Sequence, residues 1–122
     1  MRILLIVGAV NAVISVACGA FGAHGLEGKL TAHYLEVWET ACRYQMYHAI
    51  GIIVLALLKQ VTGIQLFGTA GWVMFAGIVI FSGSLFVLAL SGVKVLGAIT
   101  PIGGVLFIAS WVMVVISALK VN

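Results

Sequence analysis

Charged positions cut this chain into long uncharged blocks. Arg2, Glu27, Lys29, Glu36, Glu39, Arg43, Lys59, Lys94 and Lys120 are the only charged residues, and between them run Ile3–Leu26, Tyr44–Leu58, Gln60–Val93 and Val95–Leu119. An α-helix needs about 20 apolar residues to cross ~30 Å of hydrocarbon at 1.5 Å per residue. Three blocks meet that length alone, and the second meets it by taking in Ala41, Cys42 and Arg43. The blocks are solidly apolar, not the ~10-residue alternating segments of a transmembrane barrel. An open strand edge in lipid would leave backbone polar groups unpaired. The pattern therefore predicts helices over 3–23, 41–59, 66–90 and 101–119.

Local signals refine these elements. Thr31 is a good N-cap, and no Gly or Pro interrupts 32–50. Over that stretch Leu35, Trp38, Cys42 and Gln45 share one helical face, and Glu36, Glu39 and Arg43 another. This is a short amphipathic helix that lies at the membrane interface or runs straight into the second span, giving a combined element over 31–59. Trp38, Tyr44 and Tyr47 are expected at headgroup depth, where amphipathic aromatics collect. Thr100-Pro101 reads as a helix start, since Pro at the first helical position loses no hydrogen bond. The fold class is all-α: one integral membrane domain over 1–122, an antiparallel four-helix bundle.

Small residues recur every seven positions: Gly8, Ser15 and Gly22; Cys42, Ala49 and Ala56; Ala70, Gly77, Ser84 and Ser91; Gly103, Ser110 and Ser117. That period puts them on one face of each helix, where close backbone approach drives association in lipid. Gly19 and Gly22 are read as tight-packing positions, and Gly25 or Gly28 as the end of the first helix.

Composition excludes several classes. Of 122 residues, 64% are hydrophobic and 7% charged, against about 25% charged in soluble domains; the mean hydropathy is +1.30. Neither a soluble domain nor a disordered chain has this make-up. The net charge of +3 is small and scattered, so nucleic acid is not an expected partner. Arg2 ahead of an apolar run also fits a signal peptide, but the run exceeds the usual ~7–15-residue core, so a retained first span is expected. Four crossings put both termini on one side. Arg2, Lys59 and Lys120 lie there, against Lys29, Arg43 and Lys94, so the positive-inside rule is balanced. Pairing of Arg43 with a glutamate tips the expectation toward cytoplasmic termini.

Candidate chemistry centres on polar residues inside the spans. Glu39 precedes Arg43 by four residues, the favourable order for an ion pair on a helix, and such a pair would let Arg43 snorkel. Otherwise Arg43 is an anion or headgroup contact. His48 lies deeper, with Tyr44, Gln45 and Tyr47 nearby, and an intramembrane ionisable group is a functional candidate by default. Counting from the span ends, Ser82, Ser84, Ser15 and Cys18 reach the same half of the bilayer, while Asn11 and Ser110 lie nearer the middle. A candidate polar or ligand site thus comprises His24, Arg43, Tyr44, Gln45, His48, Ser82, Ser84 and Asn11; the competing reading is an interhelical hydrogen-bond network that fixes packing. His24, His33 and His48 match no metal-ligand spacing, so no metal or other cofactor is expected. Cys18 and Cys42 read as packing residues or a redox pair. No catalytic residues are assigned, since the chain has no Asp and no nucleophile elbow.

Several of these residues sit in longer motifs. Gly19-Ala-Phe-Gly-Ala-His-Gly-Leu26, Thr40-Ala-Cys-Arg-Tyr-Gln-Met-Tyr-His-Ala49, Phe81-Ser-Gly-Ser-Leu85 and Leu96-Gly-Ala-Ile-Thr-Pro-Ile-Gly-Gly104, followed by Trp111, span nearly the whole chain. With them the chain resembles the domain-of-unknown-function 423 family of small bacterial membrane proteins (YgdD/YwdK-like), whose eukaryotic relatives are called transmembrane protein 256. The resemblance implies a multi-pass plasma-membrane protein without an established activity, and it supplies no catalytic residues. Its motif residues His24, Tyr44, Gln45, His48, Ser82, Ser84, Thr100 and Pro101 coincide with those chosen on physical grounds. The expected role is non-enzymatic: an accessory or interaction protein whose partners are membrane lipids and other membrane proteins or further copies of itself. The alternative is an oligomeric permease or channel for a small solute or proton, with a polar path around His48.

Overall fold

In the computed structural model, which describes residues 1–122, the four blocks form α1 (Arg2–Phe21, prolonged by a π-helical turn at Gly22–Leu26), α2 (Ala32–Thr62), α3 (Gln65–Ser91) and α4 (Thr100–Ala118). A 3-10 turn at Lys94–Ala98 leads into α4. All four are long and apolar enough to cross a membrane. The expected caps are present. Thr31 Oγ1 accepts from the Tyr34 N–H at 3.2 Å, and Pro101 sits in the first turn of α4. Gly63 and Gly92 end α2 and α3 at φ of 73° and 70°, and each N–H reaches back to close the last turn.

The amphipathic stretch is not a separate element. It forms the first turns of α2, which runs unbroken for 31 residues, so of the two expected dispositions the continuous one holds. Short connections make consecutive helices antiparallel. α1 packs on α2, α2 on α3 and α3 on α4, whereas α1 and α3 meet at few points and α1 and α4 not at all. Apolar packing concentrates in two zones. The larger joins Leu4, Ile52, Leu55, Phe67, Met74, Ile78 and Phe107. The smaller gathers Leu26, Trp38, Cys42 and Ala89 near the other end.

The seven-residue rows of small side chains point inward at every position except Ser91. Gly103 shows the reason most sharply, because a Cβ there would fall on the backbone N and Cα of Phe81. One glycine expectation needs correction, and one alternative is resolved, in favour of Gly28. Nothing lies within 4 Å of a Cβ built on Gly19, so it is not a packing contact. The first helix also does not stop at Gly25: the π-turn carries it to Leu26, and Gly28, at φ 83°, makes the turn beyond.

Candidate functional site

α2 is the hub of the polar structure, and its register against its neighbours is fixed by hydrogen bonds to backbone oxygens. Ser82 Oγ on α3 donates to Ala41 O, and Ser15 Oγ on α1 donates to Cys42 O, both at 2.8 Å. The Trp38 indole N–H donates to Cys18 O, also at 2.8 Å. Adjacent carbonyls of one helix are thus clamped from both sides. Trp38 was expected at headgroup depth. It is instead 5% exposed and wedged edge-on between Phe21 and Phe86, because its helical face is the buried one and that outweighs the aromatic-belt tendency. Tyr44 and Tyr47 face outward, but they stand level with or beyond the middle of α1 and so are not at the expected headgroup depth either. Cys18 and Cys42 are free thiols in the apolar cluster around Trp38.

One turn below this clamp, Gln45 Nε2 donates to Asn11 Oδ1 at 3.1 Å, and Asn11 Nδ2 donates to Val7 O at 2.8 Å. Both amides are buried. They border a cavity of about 490 Å³ in the gap between α1 and α3, with Gln45 on its α2 floor and Ser82 and Gly83 on one wall. Gln45 Oε1 is buried and has no hydrogen-bond partner.

His48 belongs to a different cluster. Its Nδ1 lies 2.7 Å from Tyr44 O, and the Trp111 indole N–H donates to its Nε2 at 3.1 Å. A carbonyl only accepts and an indole only donates, so the ring proton is on Nδ1. The imidazole also stacks on Phe107, with centroids 3.6 Å apart and planes 7° from parallel. Nε2 and one face are therefore engaged by α4, while Nδ1 is held by the carbonyl of Tyr44 on α2 itself. In the sequence Trp111 stands out only as part of a motif, and Phe107 does not stand out at all. A usable signal was available: Trp111 falls at mid-span, not at an interface, and a mid-span indole N–H needs an acceptor.

The remaining candidates are dispersed. Ser84 Oγ lies 2.6 Å from Thr100 Oγ1 and links α3 to the start of α4. His24 is exposed in the π-turn. Arg43 is exposed, and its Nη2 donates to Thr40 Oγ1 at 3.2 Å, not to Glu39 as expected. Helix spacing brings the two charges onto one side of α2 without making them meet. The clamp fixes Arg43 in depth. It lies between Cys42, bonded to Ser15, and Gln45, bonded to Asn11, and so stands level with the middle of α1. Glu36 and Glu39, also exposed, continue the same side toward the Ala32 end. The eight candidates thus form no single site. Asn11, Gln45 and Ser82 meet at the cavity, Tyr44 and His48 face the α4 side, and Ser84, His24 and Arg43 lie apart.

Comparison with known proteins gives a consistent result. The family model described as "Protein of unknown function (DUF423)" matches residues 18–104. The UPF0382 membrane protein YwdK of Bacillus subtilis is 55% identical over 121 residues, covering 98% of both chains. UPF0382 membrane proteins of Staphylococcus epidermidis and Staphylococcus aureus are 56% and 52% identical over 120 residues, again covering 98% of each chain. No solved structure matches. Four membrane-spanning helices, the clamped motif residues and relatives alike along almost their full length lead to one conclusion: this chain is a membrane protein of the DUF423 family.

Proposed function

We propose that the protein is a non-enzymatic accessory component of the plasma membrane, with both termini cytoplasmic, that acts by binding another membrane protein or a further copy of itself through the outward side of α2. The supporting observation is the depth of its charges. Glu36, Glu39 and Arg43 are exposed on that side, and Arg43 stands level with the apolar middle of α1. An arginine at the bilayer centre costs roughly 2.5–3.5 kcal/mol on insertion scales, and such residues normally face a protein interior and pair. Here the only hydrogen bond from the guanidinium runs to a threonine hydroxyl of its own helix. A partner helix carrying a carboxylate for Arg43, or a donor for Glu39, would remove that cost, and acyl chains offer neither. With charges of both signs one turn apart, a second copy about a two-fold axis would supply reciprocal pairs.

The test uses photoreactive residues in native membranes, at Tyr47 on this side of α2 and at Val105 on the exposed side of α4. Discrete protein adducts are expected from Tyr47 and not from Val105, with the yield from Tyr47 falling at least tenfold in Arg43→Leu. An adduct of doubled mass identifies self-association, and any other mass a different membrane protein. Lipid adducts alone at both positions would refute the reading. A green fluorescent protein fused after Asn122 is expected to fluoresce, and a dark fusion with intact expression would overturn the orientation. The permease alternative has no observation in its favour: His48 is turned to Trp111 and Phe107, while Gln45 and Ser82 border the cavity between α1 and α3.

A further inference from the structure

The gap between α1 and α3 is a built cavity with one unmet chemical demand. Gln45 is 4% exposed, and its Oε1 is the one buried side-chain nitrogen or oxygen in the molecule without a partner. The demand has a sign. Asn11 must aim its NH₂ group at Val7 O, because a carbonyl only accepts, so Asn11 presents Oδ1 to Gln45. Gln45 must answer with its own NH₂ group, which leaves its oxygen as the free end. Reversing either amide would set two acceptors against each other. The vacancy therefore calls for a donor, an O–H or N–H. No polar group at the cavity supplies one: Asn11 Nδ2 donates to Val7 O and turns its oxygen to Gln45, Ser82 Oγ donates to Ala41 O, and neither they nor the Cys18 thiol bonds to Oε1. An unpartnered buried acceptor costs about 1–3 kcal/mol, so a molecule that brings a donor gains the difference.

The surroundings define the rest of that molecule. The volume of about 490 Å³ falls within the ~300–1,000 Å³ of small-molecule sites. Its walls are apolar, with Phe75, Ile78 and Phe86 from α3, and no charged residue lines it. Val10 and Ile14 form its rim and are exposed, so the cavity opens sideways between α1 and α3 toward acyl chains. The acceptor lies level with the middle of α1, far from the phosphate groups of ordinary lipids. We propose that this cavity binds an uncharged lipophile carrying a hydroxyl group, a long-chain alcohol or an alkyl phenol, whose O–H donates to Gln45 Oε1 as the Gln45 side chain, which lines the cavity, turns that covered oxygen toward it. The ligand enters laterally from the bilayer and lays its hydrocarbon along Phe75 and Phe86. This site is independent of the association proposed for the outward side of α2, and either stands if the other fails.

The probes are dodecanol, para-dodecylphenol and dodecyl methyl ether, added to the full chain in nanodiscs, with binding read by native mass spectrometry and by the rise in Tm. The ether matches dodecanol in its chain but has no proton to donate. Dodecanol or the phenol is expected to bind about tenfold more tightly than the ether, a difference of about 1.4 kcal/mol. The stronger of the two identifies an aliphatic or an aromatic ligand. Gln45→Met is expected to erase the preference for the hydroxyl while keeping weak binding of all three. That change also deprives Asn11 of its donor, so Gly83→Leu serves as the second variant. Nothing lies within 4 Å of a Cβ on Gly83, and a leucine there enters the cavity without disturbing the hydrogen bonds of Gln45. It is expected to lower binding of all probes at least tenfold. Equal binding of alcohol, phenol and ether would show that water or an acyl chain fills the cavity, and would overturn the proposal. Unchanged binding in Gly83→Leu would overturn it equally, whether or not Gln45→Met folds.

Discussion

α3 meets α4 and α1 in opposite ways. Toward α4 the helices are in direct backbone contact: the Phe107 ring covers Gly77, Gly103 rests on the backbone of Phe81, and Ser84 is bonded to Thr100. Toward α1 the same helix touches only near its start, where Leu4 packs on Gly71, and beyond that it stands off, so that Gly83, six residues from Gly77, looks into the open cavity. Lipid gives helices no hydrophobic reason to associate, so contact needs close approach and hydrogen bonds. The α3–α4 seam has both. Between α1 and α3 the hydrogen bonds go to α2 instead, through Ser15 and Ser82, and no bond joins α1 to α3 directly. A glycine makes a seam only where an opposing helix answers it.

The largest effect is expected from filling the seam. A Cβ at Gly103 would overlap backbone atoms of α3, which cannot rotate away. Gly103→Val should therefore cost about 3 kcal/mol or more, read as loss of the monodisperse species in detergent and a large fall in Tm. If Gly103→Val keeps the Tm of the parent, the seam is not the rigid half of the molecule and the contrast collapses.

A middle-sized effect is expected at the aromatic cluster on the α4 side. Trp111→Phe keeps the ring packing near His48 but removes the donor to Nε2. Membrane hydrogen bonds average about 0.6 kcal/mol with a maximum near 1.7, and this one, part-buried beside a stacked imidazole, belongs within that range. The ring carries a second, sharper observable. Nitrogen NMR should report His48 as the Nδ1–H tautomer in the parent protein, with a shifted Nε2 resonance in Trp111→Phe. An Nε2–H tautomer in the parent would contradict the bond.

The clamp on α2 is expected to be weaker bond by bond. Ser15→Ala and Ser82→Ala each remove one donor to neighbouring carbonyls, Cys42 O and Ala41 O, and each should cost about 0.6 kcal/mol. Because both act on the same turn of α2, the double variant tests whether the two sides are coupled. A double-variant loss equal to the sum of the single losses means that α1 and α3 grip α2 independently.

How much of this was legible beforehand follows from which physical constraint acts. The spans were readable because hydrocarbon thickness dictates length, and the inward faces because a seven-residue row of small side chains has one side. Thr31 and Pro101 declared their roles through backbone chemistry confined to a single turn. The meeting of Asn11 with Gln45 was not readable, since it depends on how far α1 slides along α2, and that is settled by Ser15 and Trp38 bonds to carbonyl oxygens that any residue carries. Trp38 was misassigned because two tendencies competed and burial of its helical face prevailed. The Glu39–Arg43 pair was expected from spacing alone, yet an exposed guanidinium has several partners within reach and took Thr40. The free Gln45 oxygen needed both amide orientations, which only the assembled helices define.

The smallest expected effect sharpens the contrast most, because it changes one hydrogen into one methyl on each side of α3. At Gly83 the methyl meets nothing within 4 Å. Replacing a helical glycine by alanine is worth up to about 1 kcal/mol through the restricted unfolded chain, so Gly83→Ala should leave Tm unchanged or raise it slightly. At Gly77 the methyl would lie 2.6 Å from the Phe107 ring, which must swing from its place against His48. The same propensity gain is then offset by about 1–3 kcal/mol of overpacking, and Gly77→Ala should lower Tm. Opposite signs from identical changes on one helix would isolate the neighbouring helix as the cause. Equal shifts would mean that propensity, not seam geometry, governs α3, and the gap toward α1 would then be no more open to a ligand than the seam toward α4.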